Sequence, residues 1–283
     1  MTIKIVTDSA CDVPPELADQ FDITVVPVYI NVGENSFLEG VEITREQFYD
    51  QLPTYSVYPT TAAPAIGTFS NVYEQLTAAG ATQILSMHIA HGLSATYNAA
   101  RIGAAEANSA PVTLFDTRQI TLGAGLLVLL AAEAAASGQT VAQICAMLNQ
   151  RVKRTRVFGM IDSLESLHRS GRVSWAQFGI GTLLQIKPIM LIADGVISAA
   201  AKVRTRKRAV SQMLKMVSEL APFERLAIIH VNAQEAAEEL YQRSSQLFAA
   251  HSAAAPLIQG ITPAVGTHLG VGAVGFALVT TQA

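Results

Sequence analysis

TQILSMHIAHGLSATYNAARIGAAEAN, residues 82–108, carries the pattern that decides the fold. Its first part, TQILSMHI, is a short apolar run bounded by polar residues, which suits a buried strand. Its last part, ATYNAARIGAAEAN, is rich in Ala and reads as a helix. A His, a Gly and a Ser make the turn between them. PVTLFDT at 111–117 is a second strand, and QITLGAGLLVLLAAEAAASG at 119–138 a second helix ended by Gly138. Parallel neighbours need a crossover, and a helix supplies it, so this order predicts a parallel α/β sheet.

The pattern extends outward. IKIVTDSA at 3–10 is a strand running into a polar turn, and VPPELADQF at 13–21 a helix with Pro at its start. ITVVPVYINV at 23–32 reads as one strand, with Pro27 marking an edge or bulge. Thr44 with Gln47 fits a capping box, TYSVYPTTAAPA at 54–65 is a loop, and FSNVYEQLTAAG at 69–80 is a helix ended by Gly80. TVAQICAMLNQRVKR at 140–154 is a helix capped by its Thr.

From about Thr155 the order changes. RVFGMID is a strand and SLESLHRSGR a short helix. The stretch at 178–205 mixes a Gly-broken helix with strands joined by an Asp-Gly turn at 194–195. RKRAVSQMLKMVSEL is a helix, RLAIIHVN a strand and AQEAAEELYQRSSQLF a helix. The uncharged stretch from Ala253, broken by Pro and Gly, reads as strand, loop and strand. A hairpin in this half predicts a mixed sheet. The expected division is 1–155 and 156–283.

Bulk composition narrows the function. The chain has 283 residues, of which 50% are hydrophobic and 14% charged, against about 25% charged in average usage. There is apolar side chain enough for a large core and for a binding surface. A net charge of −3 points to no polyanion, and nucleic acid is not expected as a partner. Cys11 and Cys145 form no CxxC pair and are expected as reduced thiols in a cytoplasmic protein. The start, MTIKIVTDSACD, does not read as a signal peptide, and TLGAGLLVLLAA stops at Glu133, short of a membrane span. The six histidines are dispersed, so no metal is expected.

In open α/β sheets ligands bind beyond the carboxyl ends of strands, beside helix starts. TDSACD, PTTAAPA and HGLSATY fit that position. All are rich in hydroxyls and none holds Lys or Arg. Ser94 and Thr61 are open between helix caps and ligand groups for a carboxylate or phosphate. His88, in a strand, reads as a satisfied core histidine; His91, at the turn, is open either way. Ser94 as a nucleophile would need G-x-S-x-G, and Thr96 stands at the second glycine. GVGAVG at 270–275 lacks a following helix and is weak evidence for a dinucleotide. RVKRTR at 151–156 reads as a solvated face, and KVRTRKR at 202–208 as a site for a phosphate or an acidic partner.

Taken together, TDSACDVP at 7–14, PTT at 59–61, LSATYNAA at 93–100, DTRQITLGAG at 116–125, LESLHRSGRV at 164–173, IKPIM at 186–190, KVRTRKRA at 202–209 and GTHLGVGA at 266–273 resemble the DegV family of bacterial fatty-acid-binding proteins. The resemblance spans nearly the whole chain. It implies a two-domain α/β DegV-like (EDD) fold, mainly parallel in the first sheet and mixed in the second, with one long-chain fatty acid between the domains. By position, Thr61, Ser94 and His268 would hold the carboxylate. Arg172 and Arg204 would serve phosphoryl transfer or contact with a separate ATP-dependent fatty acid kinase. The chain would then be a monomeric carrier with no catalytic turnover of its own, no metal and no cofactor besides the fatty acid. The alternative is an enzyme on a small hydroxylated substrate, a phosphotransferase or a hydrolase using Ser94. Ala95, Ala62, Ala63, Ser170 and Val271 depart from the family's usual Gly, Ser, Gln, Gly and Pro.

Overall fold

The computed structural model describes residues 2–161, 167, 171, 186–251 and 257–282. In chain order the elements are β1 (Ile3–Asp8), α1 (Pro15–Gln20), β2 (Ile23–Val26), β3 (Tyr29–Val32), β4 (Asn35–Leu38), α2 (Arg45–Gln51), β5 (Thr60–Ala62), α3 (Ile66–Ala78), β6 (Gln83–His88), α4 (Thr96–Glu106), β7 (Val112–Asp116), α5 (Thr121–Ala136) and α6 (Val141–Val152). They continue with β8 (Thr155–Met160), β9 (Lys187–Ala193), β10 (Val196–Val203), α7 (Arg206–Ser218), β11 (Phe223–His230), α8 (Gln234–His251), β12 (Leu257–Gly260), α9 (Pro263–Leu269) and β13 (Val274–Thr280).

Three sheets result. The first, in order β2-β1-β6-β7, is parallel throughout. The second, in order β10-β9-β8-β13-β11-β12, is mixed: only β11 and β12 run parallel. Both agree with the sequence reading. The Asp194–Gly195 turn joins β9 to β10 with both residues at positive φ, as a two-residue hairpin turn requires. Thr44 and Thr140 each close a capping box.

The third sheet, β4-β3-β5 antiparallel, was not expected and corrects two readings. ITVVPVYINV is not one strand. Pro27 has no N–H for a ladder, so β2 ends before it and β3 crosses to another sheet. The PTT loop contains β5, paired with Tyr29–Asn31. A further correction falls near the C-terminus. Pro263 starts α9 at its first turn instead of breaking the chain into loop, because its missing N–H is one the helix start leaves unused. Apart from Leu167 and Gly171, the helices expected within 163–185 lie outside the described residues.

The helix α5 joins the two larger sheets. It is apolar on every side and packs on β1 and, on its other flank, on β8, β11 and β13. A helix hydrophobic all round must be buried, and this one lies between layers. Gly123 and Gly125 permit the close approach: a Cβ would strike Val157 at the first and the Cys11 carbonyl at the second. One core cluster therefore runs from Ile5 and Leu85 through α5 to Val157 and Ile229. A second fills the space between the mixed sheet and α7 and α8; a third lies under α3 and α4.

RVKRTR is not a solvated face. The Arg151 guanidinium makes a forked pair with Glu224, at 2.9 Å from Nε and 2.6 Å from Nη2, and both side chains are only 21% exposed. Arg154, 15% exposed, lies 3.8 Å from the same carboxylate. The pairing to a strand across the sheet is invisible in a local run of charge.

Candidate functional site

The site is assembled from the turn after β6, the short β5 strand and α9. Leu93 and Ser94 donate their N–H groups to the Ala90 carbonyl, at 2.9 and 3.2 Å, which tightens the chain before α4. The Ser94 hydroxyl accepts the Thr96 N–H at 3.2 Å and meets the Thr96 hydroxyl at 2.9 Å. Ser94 thus stands one residue before the N-cap of α4, Ala95, and its residue also lines a cavity. Thr61, in β5, places Oγ1 3.1 Å from Nε2 of His268 in α9.

Thr61, Ser94 and His268 line one cavity of about 300 Å³, at the lower end of the usual range for small-molecule sites. Apart from Thr96 its other walls are apolar: Val28, Ile89, Ile120, Met190, Ile192 and Ile197 are among them. The cavity lies between the carboxyl-end loops of the first sheet and the β9–β10 hairpin of the second. Polar groups thus gather along one part of a hydrophobic chamber. The three residues expected to act together are brought to one cavity.

α9 is fixed from several directions. Asp12 accepts the Thr262 N–H at 2.8 Å and the Thr121 hydroxyl. Glu39 accepts the Ala264 N–H at 2.6 Å and the Ser9 hydroxyl at 2.5 Å. Tyr49 donates to the Ile261 carbonyl at 3.2 Å, and Tyr58 to that of Thr267 at 2.6 Å. Gly266 lets the Tyr49 hydroxyl approach the helix where any Cβ would block it. Both carboxylates are buried. Burial pushes Asp12 up to about 6 and Glu39 up to about 7, against the pull of their hydrogen bonds and of the nearby Arg45 cation. Glu39, Tyr49 and Tyr58 escaped the sequence reading, because their partners stand more than 200 residues away and no local motif records the pairing.

The remaining candidates separate. His88 is the satisfied core histidine expected: Nδ1 meets Asp8 at 2.8 Å and Nε2 meets Ser86 at 2.8 Å, both fully buried. His91 is exposed and holds Asp116 through Nδ1 at 2.6 Å. Arg204 is exposed between β10 and α7 and stands outside the cavity wall. Arg206, from the same basic run, donates to the Gly272 carbonyl at 3.0 Å. Arg172 lies outside the described residues. Among the described residues, the Ser94 hydroxyl bonds to Thr96. Among the described residues, no three His, Cys, Asp or Glu side chains are placed to hold a metal ion, and no helix is long and apolar enough to cross a membrane.

Residues 2–281 match the family described as "Uncharacterised protein, DegV family". The chain belongs to the DegV family. Protein DegV of Bacillus subtilis is 32% identical over 284 residues, covering 97% of this chain and 98% of that protein. Among solved structures, DegV of Bacillus subtilis, described as a fatty acid binding protein, superposes with a TM-score of 0.90 at 31% identity, over 99% of this chain and 100% of the other. A DegV family protein from Thermus thermophilus, solved for its fatty acid binding, gives 0.89 at 29% identity with the same coverage. A fatty acid binding DegV family protein from Streptococcus agalactiae gives 0.88 at 28%, over 100% of both chains. The parallel and mixed sheets of this chain are thus those of the DegV fold.

Proposed function

We propose that the chain binds one long-chain fatty acid and presents it to a separate ATP-dependent kinase. Thr61, Ser94 and His268 hold the carboxylate, and the acyl chain fills the apolar cavity. The observation that carries this reading is the Thr61–His268 contact at 3.1 Å on the wall of a chamber lined mainly by aliphatic side chains. The energetics favour such a ligand. Each buried CH₂ contributes about 0.8 kcal/mol, so ten contribute about 8. Each hydrogen bond to the carboxylate adds about 1.5–3 kcal/mol. The chain supplies most of the affinity, and the hydroxyls fix where the head group rests. The fatty-acid-binding relatives from Bacillus subtilis and Thermus thermophilus support the same ligand class.

In the kinase step a carboxylate oxygen attacks the γ-phosphorus of ATP. The new O–P bond forms as the bridging P–O bond breaks and ADP leaves, with no proton to move. Arg172 and Arg204 are assigned to that transfer or to the kinase contact. The carrier is a monomer in the cytoplasm, divided at 155/156.

The test is direct binding of palmitate to the Thr61→Val, Ser94→Ala double variant. Affinity should fall by about tenfold or more, with an unchanged unfolding transition. Unchanged affinity would remove the head-group assignment.

A further inference from the structure

Outside the Leu93–Ala95 turn lies a second cleft, of about 710 Å³, walled by His91, Tyr97, Asn98 and Arg101. Leu93, Ser94 and Ala95 line both it and the apolar cavity, so the two spaces meet at the head-group turn. Their characters differ. The inner space is walled mainly by aliphatic side chains, with Thr61, Ser94, Thr96 and His268 as its polar groups; the outer one by a guanidinium, an imidazole, an amide and a phenol. No Asp or Glu is among its described lining residues. We propose that this outer cleft is a subsite for the phosphoryl group of the acyl phosphate, held by Arg101 and His91. The inference rests on the fatty-acid reading above.

The chemistry sets the location. An acyl phosphate places its phosphorus one bridging oxygen beyond the carboxyl carbon. With the carboxyl held by Thr61, Ser94 and His268 and the acyl chain among the aliphatic walls, the phosphoryl group is directed to the adjoining polar space across the Leu93–Ala95 turn.

The side chains are held for that task. Arg101 Nη2 and Nε donate to Asn98 Oδ1 at 2.8 and 3.3 Å, which fixes the guanidinium along α4. Asp116 accepts from His91 Nδ1 at 2.6 Å, and the imidazolium form of the ring has its Nε2–H left to donate to an anionic ligand. The opening turn of α4, an 11-residue helix, adds its positive dipole end to these side chains. Gly171 lines the same cleft.

The experiment compares two ligands by calorimetry on the full chain. One is palmitate. The other is the ketophosphonate analogue of palmitoyl phosphate, in which a methylene replaces the bridging oxygen. Arg101→Gln and His91→Asn should each weaken the analogue by about tenfold or more, the loss of one charge-assisted hydrogen bond. Palmitate affinity should change by less than about twofold, which also shows that the variants are folded. Unchanged analogue binding in both variants, or equal loss for both ligands, would overturn the subsite. Failure of the unaltered chain to bind either ligand would overturn the fatty-acid reading itself, and the subsite with it.

Discussion

Asp12 accepts the backbone N–H of Thr262 at 2.8 Å, across 250 residues of chain. The bond ties the first loop of the parallel sheet to the start of α9, the helix that carries His268. Glu39 does the same for Ala264 two residues on. Two buried carboxylates thus set where a head-group residue stands, and the polar end of the cavity depends on both.

These carboxylates give stability a pH dependence. Burial raises Glu39 to about 7 and Asp12 to about 6. A carboxyl with a raised folded pKa binds its proton more tightly folded than unfolded. Its contribution is therefore full below the ordinary carboxylate range and is lost as pH rises through about 6 and 7. Urea unfolding should show stability falling between about pH 4 and pH 7 and levelling above, with a ceiling for Glu39 on the order of 3 kcal/mol. Glu39→Gln keeps an acceptor for Ala264 and has no proton to lose, so its curve should be flatter. Equal pH slopes in the two proteins would contradict this.

The layering around α5 predicts glycine substitutions of opposite sign. Gly125→Ala meets the Cys11 carbonyl and Gly123→Ala meets Val157, so each should destabilise by about 1–3 kcal/mol in thermal or urea unfolding. Gly67, in α3, has open space where its Cβ would stand. Gly67→Ala should stabilise, by about 0.5–1 kcal/mol at most. Loss of stability at position 67 equal to that at 125 would show that close packing is not the reason for the α5 glycines.

Arg204 should behave unlike the head-group residues. It is exposed and stands outside the cavity wall, so Arg204→Ala should leave palmitate affinity within about twofold. Phosphorylation of the bound fatty acid by a partner kinase should fall by about tenfold or more. A parallel loss of binding and phosphorylation would place Arg204 with the ligand instead.

Most of the fold was legible because its elements are periodic and punctuated. The 82–108 stretch folds as read, with β6 and α4 in their expected places, and the Asp194–Gly195 hairpin announces the mixed sheet. What escaped is short or non-local. β4 and β5 hold four and three residues, too few for a period to show. α9 hides behind Pro263, which punctuates in two senses: it breaks a helix interior but suits a helix start. In the site, the hydroxyl loops could be found locally, since a strand end before a helix start has a recognisable composition. The Glu39 and Tyr49 contacts to α9 could not, because nothing near residue 39 or 49 encodes a partner beyond residue 260.

The central claim is that the apolar chamber holds a fatty acid. The most direct measurement is mass spectrometry of an organic extract of the purified, folded chain, followed by titration with added palmitate. One equivalent of a long-chain fatty acid, or stoichiometric uptake of palmitate by an empty chain, is the predicted result. An extract free of lipid, together with no palmitate uptake, would contradict it.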